Sequence, residues 1–470
     1  MATLHLLLLL LASATAASTT GDAGGAAASA DAAPEEAPAA VTVVDDSRLP
    51  VEAAVAEQQE AGAEAALPRV SYSGAQLLRV TAPADAADNV RVVLRDNEDV
   101  MVWSDAQANG TVSLDVLVRR PGAAEATRRR LQEAGAAVEV AVDDLQRAID
   151  EENPPMSDED LDELMGRNGH RMEWQSYHRL ADIHQFVDFL AATYPQRFSV
   201  QTIGSSVQGR PLKVVRVSSG KPGAPAVWVD GGIHAREWIS PASVTYFLNT
   251  LVEQPEALGA AGSSVDWFVL PVVNPDGYEF SHSSDRLWRK NRGGSGSGRC
   301  AGIDLNRNFG YRWGGQGASR RPCDETYAGP SKFSEPETSA IRNFVSANRN
   351  IKAYVSFHSY GQYVLYPWGY AAVVPPDHEE LKRVGQRIAS AIARGGGGSY
   401  TVGPAGATLY PASGGSDDWA KGSQGIKYAY TVELRDRGRH GFVLPAQYIV
   451  PTGRDAVAAL AVVADAVTKL

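Results

Sequence analysis

Apolar residues are distributed along this chain in three distinct ways. Leu6 to Leu11 form an unbroken apolar run, followed by the small-residue stretch Ala12 to Ala17, the pattern of a secretory signal peptide over residues 1–17. Residues 18–66 are rich in Ala, Gly, Asp and Glu and poor in large apolar groups, which predicts an acidic spacer unable to fold alone. Periodic elements begin near Arg69. Strands are predicted at Gln76–Val80, Asp99–Trp103, Val112–Val118 and Ala137–Val142, with helices at Ala84–Arg95 and Ala123–Ala134. The order is βαββαβ, a small α+β open sandwich.

Asp143 to Glu163 reads as an acidic, helix-rich connector, followed by Arg167 and Arg171 in a polar stretch containing Gly166 and Gly169, expected to be a flexible, exposed linker. From Trp174 the pattern alternates helix and strand to the end. Helices are expected at Leu180–Tyr194, Ser240–Gln254 and Arg454–Lys469, the second with Ser240 as N-cap and Pro241 at its first position. Apolar strands are expected at Pro225–Asp230, Trp267–Val273, Ala353–Phe357 and Lys427–Glu433. This predicts one large α/β domain with a mixed, mainly parallel sheet flanked by helices. The predicted organisation is signal peptide 1–17, spacer 18–66, open-sandwich domain 67–150, connector 151–172 and large domain 173–470.

Composition narrows the function. With 470 residues and a net charge of −11, the chain has no basic excess for nucleic acid. The open sandwich shares its element order with RNA-binding modules, but it is acidic and lacks their base-stacking aromatics. Residues 1–165 carry a net charge of −19 and the remainder +8, so the two parts are expected to attract each other. The apolar run is too short to span a bilayer, and no later stretch is long enough. A soluble, secreted protein is expected, in which the only cysteines, Cys300 and Cys323, would form one disulfide.

In open α/β sheets ligands gather at the carboxyl ends of the strands. The strand ending at Asp230 runs into Gly231-Gly232-Ile233-His234-Ala235-Arg236-Glu237, a second ends in His358-Ser359-Tyr360, and a third in Glu433-Leu434-Arg435. His234 and Glu237, three apart, can face one point from a helical turn. With His358 they make two imidazoles and a carboxylate, the ligand set of a catalytic zinc with one position left for water. The helical His-Glu-x-x-His motif is absent. Glu433 next to Arg435 could equally be an ordinary salt-bridged carboxylate.

These residues, with Trp288-Arg289-Lys290-Asn291-Arg292, Asp304-Leu305-Asn306-Arg307-Asn308-Phe309 and Glu433-Leu434-Arg435-Asp436, resemble the zinc metallocarboxypeptidases of the pancreatic A/B type. The resemblance runs from Trp174 to Leu470, and the open sandwich resembles that family's propeptide. It implies His234, Glu237 and His358 as ligands of one Zn2+ per chain, Glu433 as general base, and Arg289 as stabiliser of the oxyanion. It implies Asn306, Arg307 and Tyr410 as the clamp for a C-terminal carboxylate, with Arg236, Ser359 and Tyr360 as further substrate contacts. Asp417 stands where A-type enzymes carry an apolar pocket floor, which implies release of C-terminal Lys or Arg. An A-type or broad preference and a catalytically silent binding protein are the alternatives. Cys300 and Cys323 match the family's disulfide.

The resemblance also implies a monomeric zymogen acting on peptide or protein C-termini, while charge and hydropathy predict no nucleic-acid or membrane partner. A trypsin-like protease would activate it after Arg147, Arg167 or Arg171. Asn109-Gly110-Thr111 is a glycosylation sequon in the propeptide-like segment. Residues 420–424 depart from the family pattern in length and composition.

Overall fold

The computed structural model describes residues 69–470 apart from 96, 109 and 295. The expected signal peptide, the spacer and the sequon residue Asn109 lie outside the described residues. The N-terminal unit contains β1 (Gln76–Pro83), α1 (Ala87–Arg95), β2 (Val100–Ala108), β3 (Thr111–Val118), α2 (Ala123–Glu133) and β4 (Ala137–Val142). Its strands pair antiparallel in the order β2-β3-β1-β4. Period-two alternation gives each face of β3 its own task. Val112, Leu114, Val116 and Val118 pack with Leu78, Val80, Val90 and Leu131 beneath the helices. Leu117, on the opposite face, joins Leu77 and Trp103 against Leu287, Phe442 and Val443 of the large domain.

Two helices follow, α3 (Leu145–Glu152) and α4 (Asp158–Asn168). Ser157 and Asp160 form a capping box at the start of α4, and Gly169, at φ 75°, ends it. Arg167 therefore lies in the last turn of a helix, and Arg171 is paired with Asp162 at 2.9 Å. The flexible linker expected around both arginines is instead a capped helix and its exit.

The large domain runs through α5 (Leu180–Thr193), β5 (Phe198–Ser205), β6 (Pro211–Val217), β7 (Ala226–Asp230), α6 (Ile239–Glu253), the short α7 (Gly259–Gly262), β8 (Asp266–Leu270) and α8 (Pro275–Ser283). It continues with α9 (Pro336–Ala347), β9 (Ile351–His358), β10 (Tyr363–Tyr366), α10 (His378–Arg394), β11 (Thr401–Pro404), the short α11 (Ala405–Thr408), α12 (Ser416–Gly422), β12 (Tyr428–Glu433) and α13 (Ile449–Val467). The sheet order is β11-β10-β12-β9-β7-β8-β6-β5. The central β12, β9, β7 and β8 are parallel, and the antiparallel pairings lie towards the edges.

Both faces of the central strands are covered, which is why they read as continuous apolar runs. On one face Val229, Val269, Val355 and Val432 pack with Phe186, Phe247, Ile388 and Leu460 from α5, α6, α10 and α13. On the other, Trp228, Phe268 and Tyr354 pack with Ile341, Phe344 and Trp419. The parallel strands end together at Asp230, His358 and Glu433, and the register sets Glu433 beside His358.

The expected cap of α6 differs from the observed one. The helix begins at Ile239 without a side-chain cap. Ser240 is drawn away because its Oγ donates to Phe357 O at 2.6 Å and accepts from Gly232 N at 3.0 Å. It ties the loop after β7 to the end of β9.

Candidate metal centre and active site

The loop after β7 needs glycine at Gly232, where φ is 66° and a Cβ would come within 2.8 Å of Pro241 Cγ. The chain then makes a tight turn, with Glu237 N donating to His234 O at 3.2 Å, just before α6. His234 and Glu237 thus share a turn rather than the helical turn expected, and they still converge. His234 Nδ1 lies 2.7 Å from Glu237 Oε1, and His358 Nδ1 lies 3.2 Å from both His234 Nδ1 and Glu237 Oε2. Two imidazole nitrogens and a carboxylate oxygen, all buried and within 4.8 Å of one another, make a donor set that fits zinc with an open coordination position.

The same cavity, of about 290 Å³, is lined by Arg289, Asn306, Arg307, Ser359, Tyr360, Tyr410, Asp417 and Glu433. Glu433 Oε2 is buried with no hydrogen-bond partner, and burial pushes this carboxyl up to about 8. The neighbouring Arg435 does not neutralise it, because both of its bonding nitrogens engage Asp455 at 2.6 and 3.0 Å. Asn306 Oδ1 accepts from Ser416 N at 3.0 Å, and Arg307 donates to the carbonyls of Gly317 and Asn306 at 2.9 Å. Asp417, in the first turn of α12, is 6 % exposed, and burial raises its carboxyl pKa. Its neighbour Asp418 faces away, accepting from Gly369 N and Tyr370 N at 2.8 Å.

Arg236 is the one expected substrate contact that does not line this cavity. It is buried under the Phe442 ring, 4.3 Å from the centroid, and paired with Glu325 at 3.0 Å. Asp304 was given no role by sequence reasoning, although it opens the Asp-Leu-Asn-Arg stretch. One oxygen faces His234 Nε2 at 3.2 Å, and the other accepts from Arg289 Nε and Nη2 at 3.1 and 2.8 Å. Burial works against its charge, but Arg289 and Arg307 hold it well below the usual carboxylate range. Cys300 and Cys323 are joined in a disulfide.

The N-terminal unit roofs the cavity. Arg79, Trp103 and Asp115 line it, with Asp115 accepting from Tyr360 Oη at 2.8 Å and from Arg79 Nε at 3.1 Å. Trp103 stands against Phe442 with centroids 5.0 Å apart. Behind them Glu152, at the end of α3, grips Arg286 with both oxygens at 2.6 and 2.5 Å.

The profile of the family described as zinc carboxypeptidase matches residues 183–459. The chain is 44% identical over 296 residues to carboxypeptidase B of Astacus astacus, covering 63% of this chain and 98% of that protein. It is 40% identical over 396 residues to carboxypeptidase A1 of Bos taurus, covering 83% of this chain and 93% of that protein. The crystal structure of thrombin activatable fibrinolysis inhibitor superposes with a TM-score of 0.74 at 32% identity, covering 84% of this chain and 99% of that one. Among the described residues, no helix is long and apolar enough to cross a membrane.

Proposed function

Because the chain belongs to the zinc carboxypeptidase family, as a hydrolase of C-terminal peptide bonds of the A/B type, we propose that it is a secreted zymogen whose active form releases C-terminal Lys or Arg. The observation that carries this reading is the gathering of His234, Glu237, His358, Glu433, Arg289 and Asp417 around one roofed cavity.

His234, Glu237 and His358 would hold the zinc. When bound, the ion supplies Lewis acidity at the scissile carbonyl and lowers the pKa of water in its open position. Glu433 removes a proton from the attacking water and delivers it to the leaving nitrogen as the C–N bond breaks. Its buried, unpartnered oxygen and raised pKa suit a group that must take up a proton and give it back. Arg289, fixed by Asp304, meets the negative charge that develops on the carbonyl oxygen. Arg307, with Asn306 and Tyr410, binds the terminal carboxylate, and Ser359 and Tyr360 line the approach.

Specificity follows from Asp417. A carboxylate buried at the pocket floor favours a guanidinium or ammonium and leaves an apolar side chain facing an unpaired charge. We read the N-terminal unit as a propeptide because its Arg79, Trp103 and Asp115 line the same cavity as His234, Glu237, His358 and Glu433. Arg147 and Arg167 are exposed on α3 and α4, so a trypsin-like protease can reach either once that helix frays. Trypsin treatment of the full-length protein is expected to raise peptidase activity sharply. Full activity before treatment would refute the zymogen reading.

A further inference from the structure

The imidazole of His358 is held from behind by a buried relay that the reaction above does not use. While Nδ1 faces His234 and Glu237, Nε2 lies 3.2 Å from Ser356 Oγ. Ser356 Oγ lies 2.6 Å from Asp230 Oδ1, and Trp228 Nε1 donates to Asp230 Oδ2 at 2.6 Å. Ser356, Asp230 and His358 are each at most 1 % exposed, so no bulk water competes for these groups. Strands β7 and β9 pair in parallel with Asp230 opposite Ser356, so the sheet register itself brings the carboxylate to the hydroxyl.

The donor inventory fixes the direction of the relay. A serine hydroxyl has one proton, and a carboxylate already receiving the indole N–H can only accept. The hydroxyl proton goes to Asp230, so the Ser356 oxygen meets His358 as an acceptor. Nε2 then carries the imidazole proton, and the Nδ1 lone pair points to the metal position. His234 reaches the same state differently, with Nε2 directly against Asp304. The sequence signal is a serine and a carboxylate placed among otherwise apolar strand positions, in Ala353-Tyr354-Val355-Ser356-Phe357 and Val227-Trp228-Val229-Asp230.

We propose that Ser356 and Asp230 are positioning residues for the metal centre, holding His358 in the tautomer and orientation that present Nδ1 to zinc. The inference rests on the reading of His358 as a zinc ligand, and the experiment separates the two. Full-length wild type, Ser356→Ala, Asp230→Asn and His358→Ala are equilibrated against chelator-buffered zinc, and bound metal is measured. Cobalt-substituted samples give the visible spectrum.

Ser356→Ala is expected to weaken zinc binding by about 10- to 100-fold and to shift the cobalt spectrum, a change that loss of fold stability alone does not produce. Asp230→Asn should act in the same direction, and Ser356→Ala alone decides if that variant does not fold. Wild-type zinc affinity and an unchanged cobalt spectrum in Ser356→Ala, beside a His358→Ala chain that loses zinc, overturn the inference alone. Wild-type affinity in His358→Ala overturns the ligand assignment and the inference with it.

Discussion

Replacing Glu152 by alanine should unlatch the proposed zymogen without touching the active site. Glu152 is 1 % exposed and gives both oxygens to Arg286, itself buried and stacked 3.8 Å from the Trp238 ring centroid. Arg286 keeps the carbonyls of Arg236 and Phe442 at 2.9 and 2.7 Å in the variant, but its charge loses its one carboxylate partner among the described residues. Removing one partner of such a buried pair costs about 3–5 kcal/mol, because the other charge stays buried without compensation. The cost falls on the docked state, since the undocked large domain lacks Glu152 beside Arg286 in either chain. At 1.4 kcal/mol per decade, the docking equilibrium should weaken by about two to three and a half orders of magnitude. The assay is peptidase activity of the uncleaved chain, with gel analysis to show that it is intact. Glu152→Ala should show basal activity at least about 100-fold above wild type, and Arg286→Ala in the same chain should restore part of the latency. Basal activity equal to that of wild type would refute the latch.

Three further outcomes follow from the site and its surroundings. Asp417→Ala should lower kcat/KM for C-terminal Arg by about 100-fold or more while changing it little for C-terminal Phe, and equal losses on both would contradict the pocket assignment. Glu433→Gln should cut kcat by about 10²- to 10⁴-fold with zinc content unchanged, and unchanged kcat would remove it from proton transfer. Glu337 is fully buried, and burial, aided by the charges of Glu335 and Asp276, pushes its carboxyl up to about 7. Its folded pKa lies above the ordinary value, so its stabilisation is complete below about 4.5 and is lost as pH rises through 7. Glu337→Gln should therefore gain thermal stability relative to wild type between pH 5 and pH 8, and a stability difference independent of pH would contradict it.

The central architecture was legible because β7, β8, β9 and β12 are buried on both faces and read as short, mainly apolar runs. Their carboxyl ends carry His358 and Glu433, with the His234 turn just beyond Asp230, so strand prediction also located the site. The edge hairpin of β5 and β6 escaped notice because β5 is mostly exposed or half-buried and has no clean alternation. β11 has only four residues, including a glycine and a proline, and takes its place through pairing with β10. What remained illegible depends on distant partners. Arg435 is taken by Asp455, twenty residues on, which leaves Glu433 alone. Ser240 abandons its cap for Phe357, and Arg236 is covered by Phe442.

The charge asymmetry between the two parts of the chain suggested docking by long-range attraction. The contact itself is made by Leu77, Trp103 and Leu117 against Leu287, Phe442 and Val443, with a buried ion pair behind them. Raising salt screens exposed charges far more than such contacts.

The most direct measurement is mass spectrometry of a mixed peptide pool incubated with the trypsin-activated, zinc-loaded protein after trypsin is inhibited. The account predicts stepwise loss of C-terminal Lys and Arg, with peptides ending in Phe, Leu or Asp left intact, and no loss in the presence of a zinc chelator. Loss of apolar C-terminal residues in preference to basic ones, or no exopeptidase products at all, would contradict it.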